Sequence, residues 1–206
     1  MRLVSLLAVL LLAPAANAST ITVSLTGTVT SVDAAIASAF TVGDAVSGSF
    51  QFDGQAVDTE PDSAIGEYYP ALTSLSISFG SYSASLGPDG GEIFTNLHGF
   101  SMLSSAIGAD VAGFSLARFP IEMVLSNTSD VFPDDAIPSQ VDLAAFATRS
   151  ITLQFIDGNV GYLVQASVDS LAYTVPEPGA LGLLGLGGLL PAVRRRRSQE
   201  PERHDR

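Results

Sequence analysis

The residues best suited to acid–base chemistry in this sequence are one histidine and two groups of carboxylates. His98 is the only histidine between residues 19 and 175. A Ser-His-Asp triad could form around it because serine is abundant, but no Gly-x-Ser-x-Gly sequence is present to hold a nucleophilic serine. An isolated histidine beside Leu97 and Phe100 favours a structural role. We therefore predict no catalytic residue and no enzymatic activity.

The carboxylates fall into two stretches of the sequence, and both could offer oxygen ligands to calcium. Neither stretch has the EF-hand spacing or a Gly-Gly-x-Gly-x-Asp repeat. We predict solvated acidic loops and no cofactor, and calcium binding stays open as the alternative. The two stretches contain Asp53, Asp58, Glu60 and Asp62, and Asp130, Asp134, Asp135 and Asp142. The calcium candidates among them are Asp53, Asp58, Asp62, Asp134 and Asp135.

The charge of the chain excludes nucleic acid as a partner. Between residues 19 and 175 there are 17 carboxylates and only two basic residues, Arg118 and Arg149. Such a body repels phosphate and lacks the basic stripe that nucleic-acid binding requires. The chain also contains no cysteine, which excludes disulfides and thiolate metal sites.

The first 18 residues have the pattern of a signal peptide. Arg2 gives a positive start, residues 3–13 are apolar, and Ala16 and Ala18 form a small-x-small cleavage site before Ser19. We therefore predict export through the Sec translocon.

The C-terminal end has three features in a fixed order. Pro176-Glu177-Pro178 comes first, and an uncharged segment of fifteen residues, 179–193, follows it. As a helix that segment spans about 22 Å, less than the roughly 30 Å hydrocarbon core, and flanking arginines that reach the interface can make up the difference. Positive charge after the segment keeps the C-terminus in the cytoplasm. The arginines are Arg194, Arg195, Arg196 and Arg197.

These residues, from Val175 to Arg197, resemble the PEP-CTERM sorting signal of Gram-negative bacteria in order, spacing and position. The resemblance implies recognition by an exosortase, a membrane protease or transpeptidase often encoded beside exopolysaccharide machinery. Pro176, Glu177 and Pro178 would be the recognition motif. It further implies a precursor held in the inner membrane by a C-terminal transmembrane helix, and then a product at the cell surface or outside the cell. Residues 198–206 would form a cytoplasmic tail.

The body between the two ends, residues 19–174, has the alternating pattern of β-strands. In residues 21–30 apolar side chains share one side and threonine and serine the other, which predicts a half-buried strand. Turn residues separate the segments, and Asp157-Gly158-Asn159 predicts a hairpin. Further strands are predicted at 46–52, 72–79, 82–86, 112–116, 121–125, 151–156, 161–168 and 171–174, and turns at 80–81 and 88–91.

This pattern predicts an all-β fold, a single antiparallel β-sandwich or jelly-roll domain, with a flattened barrel as the alternative. Helix is expected only at 33–40 and 141–147, with Asp33 and Ser139 as candidate caps. The domain is flanked by the signal peptide and the C-terminal helix.

We expect a non-enzymatic surface or matrix protein that acts in the exopolysaccharide or biofilm layer. Two alternatives remain. A carbohydrate-binding module would have a shallow groove lined by some of Tyr68, Tyr69, Tyr82 and Tyr162. A secreted glycan hydrolase would use two of the loop carboxylates.

Overall fold

A computed structural model of the protein describes residues 20–175. They form nine β-strands and two short 3-10 helices, which confirms the all-β prediction. Within this range there is no helix long and apolar enough to cross a membrane. The signal peptide and the C-terminal helix that we predict lie outside the described residues. The strands are β1 (Thr20–Val32), β2 (Ala45–Asp53), β3 (Ile65–Tyr68), β4 (Leu72–Phe79), β5 (Tyr82–Asn96), β6 (Gly99–Gly108), β7 (Ser115–Ser126), β8 (Thr148–Asp157) and β9 (Val160–Thr174).

Eight of the strands close into an antiparallel barrel, and the sandwich and jelly-roll prediction is therefore wrong in detail. The order is β5-β4-β2-β1-β9-β8-β7-β6, and β5 pairs with β6 to complete the circle. Closure depends on the length of β5, whose first residues pair with β4 while both of its halves pair with β6. The short β3 pairs with the last part of β5, beyond the end of β4.

Inward-facing and outward-facing side chains alternate along the strands, and the inward-facing apolar side chains fill the interior of the barrel. In β1, Val23, Leu25 and Val29 are buried, and in β2 the buried residues include Phe50 and Phe52. Burial of each such side chain contributes about 1.5–3 kcal/mol. Three aromatic rings pack together in this core at centroid distances of 5.4–5.7 Å. They belong to Phe40, Tyr82 and Phe155.

β6 is the longest strand that we do not predict from the sequence. Its alternation is broken because Ser104 and Ser105 are both buried. The hydroxyl of Ser104 donates to the carbonyl oxygen of Ser105 at 2.8 Å. The hydroxyl of Ser105 donates to the carbonyl oxygen of Gly90, also at 2.8 Å. These hydrogen bonds offset the cost of burying two polar side chains.

Several predicted boundaries also differ from the structure. Residues 88–91 lie inside β5, where the pairing with β6 is irregular, rather than in a turn. Residues 112–114 precede β7, and the predicted strands at 161–168 and 171–174 are both part of β9. The turns at 80–81 and after Asp157 are confirmed.

The two predicted helices are single 3-10 turns, Ala34–Ile36 and Leu143–Ala145. Asp33 does not cap the first one, because its carboxylate accepts the N–H of Leu163 at 2.7 Å. Asp142, and not Ser139, caps the second by accepting the N–H of Ala144.

Candidate functional site

Both ends of the described chain lie at one pole of the barrel. Thr22 near the start of β1 pairs with Thr174 at the end of β9. Because all neighbours are antiparallel, the connections from β2 to β3, β5 to β6 and β7 to β8 reach the same pole. We call it the chain-end pole. The segments that precede and follow the barrel are both attached here.

The last part of β9 is paired on one side only. Its pairing with β8 ends at Ser150 and Ser167, whereas its pairing with β1 continues to Thr174. Within residues 20–175, the far side of this last part makes no backbone hydrogen bond. We call residues 170–174 the open edge of β9.

A β-bulge lies where the open edge begins. Val168 is opposite Gly27 and Ser170 is opposite Thr26, so Asp169 is an extra residue in β9. Its carboxylate accepts the hydroxyl of Ser167 at 2.7 Å and that of Thr28 at 2.8 Å. These two hydrogen bonds lower the pKa of Asp169, and Arg149 contributes in the same direction. The side chains thus hold the bulge, which keeps Leu171 and Tyr173 on the inner face.

A groove of about 300 Å³ lies where β8 and β9 part, and we call it the β8–β9 groove. Arg149 lies in it with an exposed side chain. In the part of the chain that the structure describes, Arg149 forms no ion pair within 4.0 Å, whereas the other arginine, Arg118, pairs with Asp89 at 3.1 Å. The groove is lined by Ala147, Arg149, Ser167, Val168 and Asp169.

The calcium candidates are not brought together into a metal site. Among residues 20–175, no three carboxylate or imidazole side chains form a group that could hold an ion. Instead, four of these carboxylates accept backbone N–H groups two residues further along, as in Asx turns. The donors and acceptors are Gln55 to Asp53 (2.9 Å), Glu60 to Asp58 (2.9 Å), Ala64 to Asp62 (3.1 Å) and Ala136 to Asp134 (3.2 Å).

The fifth candidate, Asp135, connects its own acidic loop to β3 and β5 through its backbone. Its carbonyl oxygen accepts the hydroxyl of Tyr68 on β3 at 3.1 Å and that of Thr95 on β5. Burial raises the pKa of Tyr68, and the charges of Asp58 and Asp135 raise it further. Both acidic loops therefore meet at the chain-end pole as structural elements.

His98 forms an exposed pair with Asp130. Its Nδ1 lies 3.2 Å from a carboxylate oxygen of Asp130, and both side chains are more than half exposed. Ser101 and Ser126 line the adjacent groove of about 150 Å³ with His98. Among the described residues, neither serine hydroxyl forms a hydrogen bond with the imidazole, whose ion-pair partner is Asp130.

Comparison with known families decides the role of the C-terminal end. The family model for the PEP-CTERM protein-sorting motif matches residues 174–197. The chain carries a PEP-CTERM sorting motif. In general, this motif implies export and recognition by an exosortase. No curated protein and no solved structure matches the chain.

The segment that matches the motif begins at Thr174, the last residue of β9. It includes Pro176, Glu177 and Pro178 and the arginines 194–197, which lie outside the described residues. The recognition motif thus follows the barrel with only Val175 between them.

The tyrosines expected for a sugar-binding groove are not placed together. Tyr68 and Tyr82 are buried, and Tyr162 stacks on Phe114 with their ring centroids 4.4 Å apart. Tyr69 is 46% exposed, and its hydroxyl donates to the carbonyl oxygen of Asp89.

Sequence reasoning missed an outward-facing polar surface on β7, β8 and β9. A groove of about 330 Å³ lies there, and one carboxylate, two amides and a threonine line it beside Phe119. The polar residues of the groove are Glu122, Thr152, Gln154 and Gln165.

A second carboxylate, Glu92 on β5, lies on the same outer face. Burial and then the charge of Glu67 raise the pKa of Glu92. Strand register places Leu103 of β6 between Glu92 and Glu122, so alternation could have shown these two carboxylates on one face.

Proposed function

We propose that this PEP-CTERM protein is the precursor of a non-enzymatic surface or matrix protein. It is exported, processed by an exosortase near Pro176-Glu177-Pro178, and acts in the exopolysaccharide layer that surrounds the cell. The match of residues 174–197 to the sorting motif is the observation that carries the proposal.

The topology of the barrel supports this route. The signal peptide predicted for residues 1–18 and the sorting signal at 175–197 are both attached at the chain-end pole, because Thr22 pairs with Thr174. Two membrane-directed segments can therefore be attached to one barrel without either having to pass around it.

The outer surface of the barrel supports a role among polysaccharides. Cross-strand register places serine and threonine side chains in two adjacent rows over β1, β2, β4 and β5. Uncharged hydroxyls can exchange hydrogen bonds with sugar hydroxyls without desolvating a charge. The rows are Ser24, Ser49, Ser76 and Ser85, and Thr26, Ser47, Ser78 and Ser83.

Processing is tested by expressing the full chain in a host that carries an exosortase. Mass spectrometry then follows the C-terminus in membrane and extracellular fractions, with Glu177→Ala as the matched variant. We expect the wild type to lose everything after the Pro-Glu-Pro region and the variant to keep it. An intact tail in the membrane for both proteins would contradict the proposal.

Carbohydrate binding is the second candidate function, favoured by the groove on β7, β8 and β9. Glu122 with Gln154 and Gln165 offers the carboxylate and amide groups that bind sugar hydroxyls. Retention of the protein on the exopolysaccharide of its host, lost in Glu122→Ala and kept in Glu60→Ala, would support it. The hydrolase alternative has less support, because the loop carboxylates accept backbone N–H groups.

A further inference from the structure

We propose that the processing enzyme engages the folded barrel as well as the sorting motif, by adding an extended segment to the open edge of β9. The barrel is then part of the substrate, and the β8–β9 groove with Arg149 is part of the docking surface. The inference rests on the proposed function, since it requires that the Pro-Glu-Pro region is processed.

The short distance along the chain from the end of β9 to Glu177 places the enzyme close to the barrel. Thr174 is the last residue of β9, and Glu177 follows three residues later. An extended chain covers about 3.3 Å per residue, so three residues span about 10 Å. An enzyme that holds Glu177 in its cleft must therefore contact the chain-end pole or pull β9 out of the sheet.

The side of β9 that an enzyme can pair with is set by the topology. One side is paired with β1 as far as Thr174, and the other side is the open edge. The exposed side chains of the open edge, Ser170, Ala172 and Thr174, are small and uncharged. Natural proteins protect exposed edges with charge, proline or a covering loop, and an edge without them is a template for strand addition.

Charge favours a partner other than a second copy of this chain. Both acidic loops lie at the chain-end pole, so two such poles repel each other. Arg149 is exposed in the groove beside the open edge and has no ion-pair partner among the described residues. It fits an enzyme segment that carries a carboxylate, while the acidic loops favour basic residues around that segment.

The test measures the processing rate of the full chain by pulse-chase in an exosortase-bearing host. One variant places ten Gly/Ser residues between Val175 and Pro176, which separates the motif from the edge. Its control carries the same insert in the turn at Gly158, at the opposite pole. A second variant, Arg149→Glu, is compared with Arg118→Glu, since both arginines are exposed. Protease resistance of the barrel in each variant reports folding.

We expect the insert before Pro176 and Arg149→Glu each to slow processing about tenfold, a loss typical of one removed docking contact, and the two controls to process at the wild-type rate. Wild-type rates in all four variants would overturn the role of the edge, while the Glu177-dependent processing would still stand. No processing of the wild type would instead contradict the proposed function itself.

A second copy on the open edge is the other occupant to be tested. The chain has no cysteine, so Ala172→Cys supplies a single thiol beside the edge. With a maleimide–benzophenone reagent attached to this thiol, we expect irradiation to cross-link the chain to the enzyme and not to a second copy. A covalent dimer of the chain as the main product would overturn the proposal.

Discussion

Tyr173 carries a hydroxyl that is buried without a hydrogen-bond partner in the described part of the chain. An unpaired buried hydroxyl costs about 1–3 kcal/mol, so Tyr173→Phe is expected to raise the free energy of unfolding by roughly 1 kcal/mol. Tyr82→Phe is the matched control. Its hydroxyl donates to the carbonyl oxygen of Ala109 at 3.0 Å, and its removal is expected to destabilise the barrel. Guanidinium denaturation measures both, and a loss of stability in Tyr173→Phe would show that its hydroxyl has a partner.

The same two tyrosines predict a loss of stability at alkaline pH. Burial, with the charge of Asp110, raises the pKa of Tyr82 to about 12, and burial raises the pKa of Tyr173. In the unfolded chain tyrosine ionises near pH 10, so the unfolded state alone gains charge above that pH. The contribution of these two tyrosines to the free energy of unfolding is therefore fully present below about pH 10 and decreases as the pH rises towards about 12. Between about pH 10 and pH 12, the denaturation midpoint should fall less in the Tyr82→Phe, Tyr173→Phe double variant than in the wild type.

Calcium provides the third test at the scale of residues. Because the loop aspartates accept backbone N–H groups, we expect the melting temperature to be the same in calcium and in a chelator. An extracellular calcium site with a Kd of about 10⁻⁴–10⁻³ M would instead stabilise the protein by roughly 1.4–2.7 kcal/mol at about 10 mM calcium. A stabilisation of that size would establish that the protein binds calcium and would contradict this expectation.

At the scale of elements, the close approach of β1 and β9 depends on Gly27. A β-carbon at this position would overlap the backbone carbonyl oxygen of Ser167. Gly27→Ala is therefore expected to cost about 1–3 kcal/mol, the usual cost of overpacking. Gly161→Ala in β9 is the control, because its β-carbon meets only the end of the Gln154 side chain. Equal denaturation midpoints for the two variants would mean that the strands separate easily.

The sequence predicts individual strands better than their arrangement. β4 is predicted with its observed ends, and β1 and β2 to within two residues, because a polar outer face gives each a regular alternation. β6 is missed because two consecutive serines are buried in it. Closure is not predictable from alternation, since strands of a sandwich and of a barrel both have one buried and one exposed face.

The candidate site is predictable in part for a similar reason. The sorting motif is a local pattern around Glu177, and it can be read without any structure. The open edge of β9 depends on where β8 stops pairing, which is a property of register between distant residues such as Ser150 and Ser167. The bulge at Asp169 also interrupts the alternation, so the sequence divides this one strand in two.

At the scale of the whole molecule, the paired chain ends predict tolerance of circular permutation. Thr22 and Thr174 are cross-strand neighbours, so a few residues can join the ends of β1 and β9. A body joined there and opened at Gly158, in the turn between β8 and β9, is expected to fold into the same barrel. Circular dichroism and denaturation measurements compare the secondary structure and stability of the permuted body with those of the original one. An unfolded permutant would show that the β8–β9 hairpin must be continuous for folding.

The meeting of both chain ends at one pole also determines how the barrel responds to force. Pulling its two ends apart would open the β1–β9 pair from Thr22 and Thr174, one hydrogen bond at a time, as a zipper opens. A barrel tethered by its C-terminal end and pulled from the opposite pole is instead loaded along its strands. The hydrogen bonds of β9 with β1 and β8 then share the load, and the barrel resists much larger forces. A tether at the end of β9 therefore loads the sheet in shear when the barrel is pulled from the opposite pole.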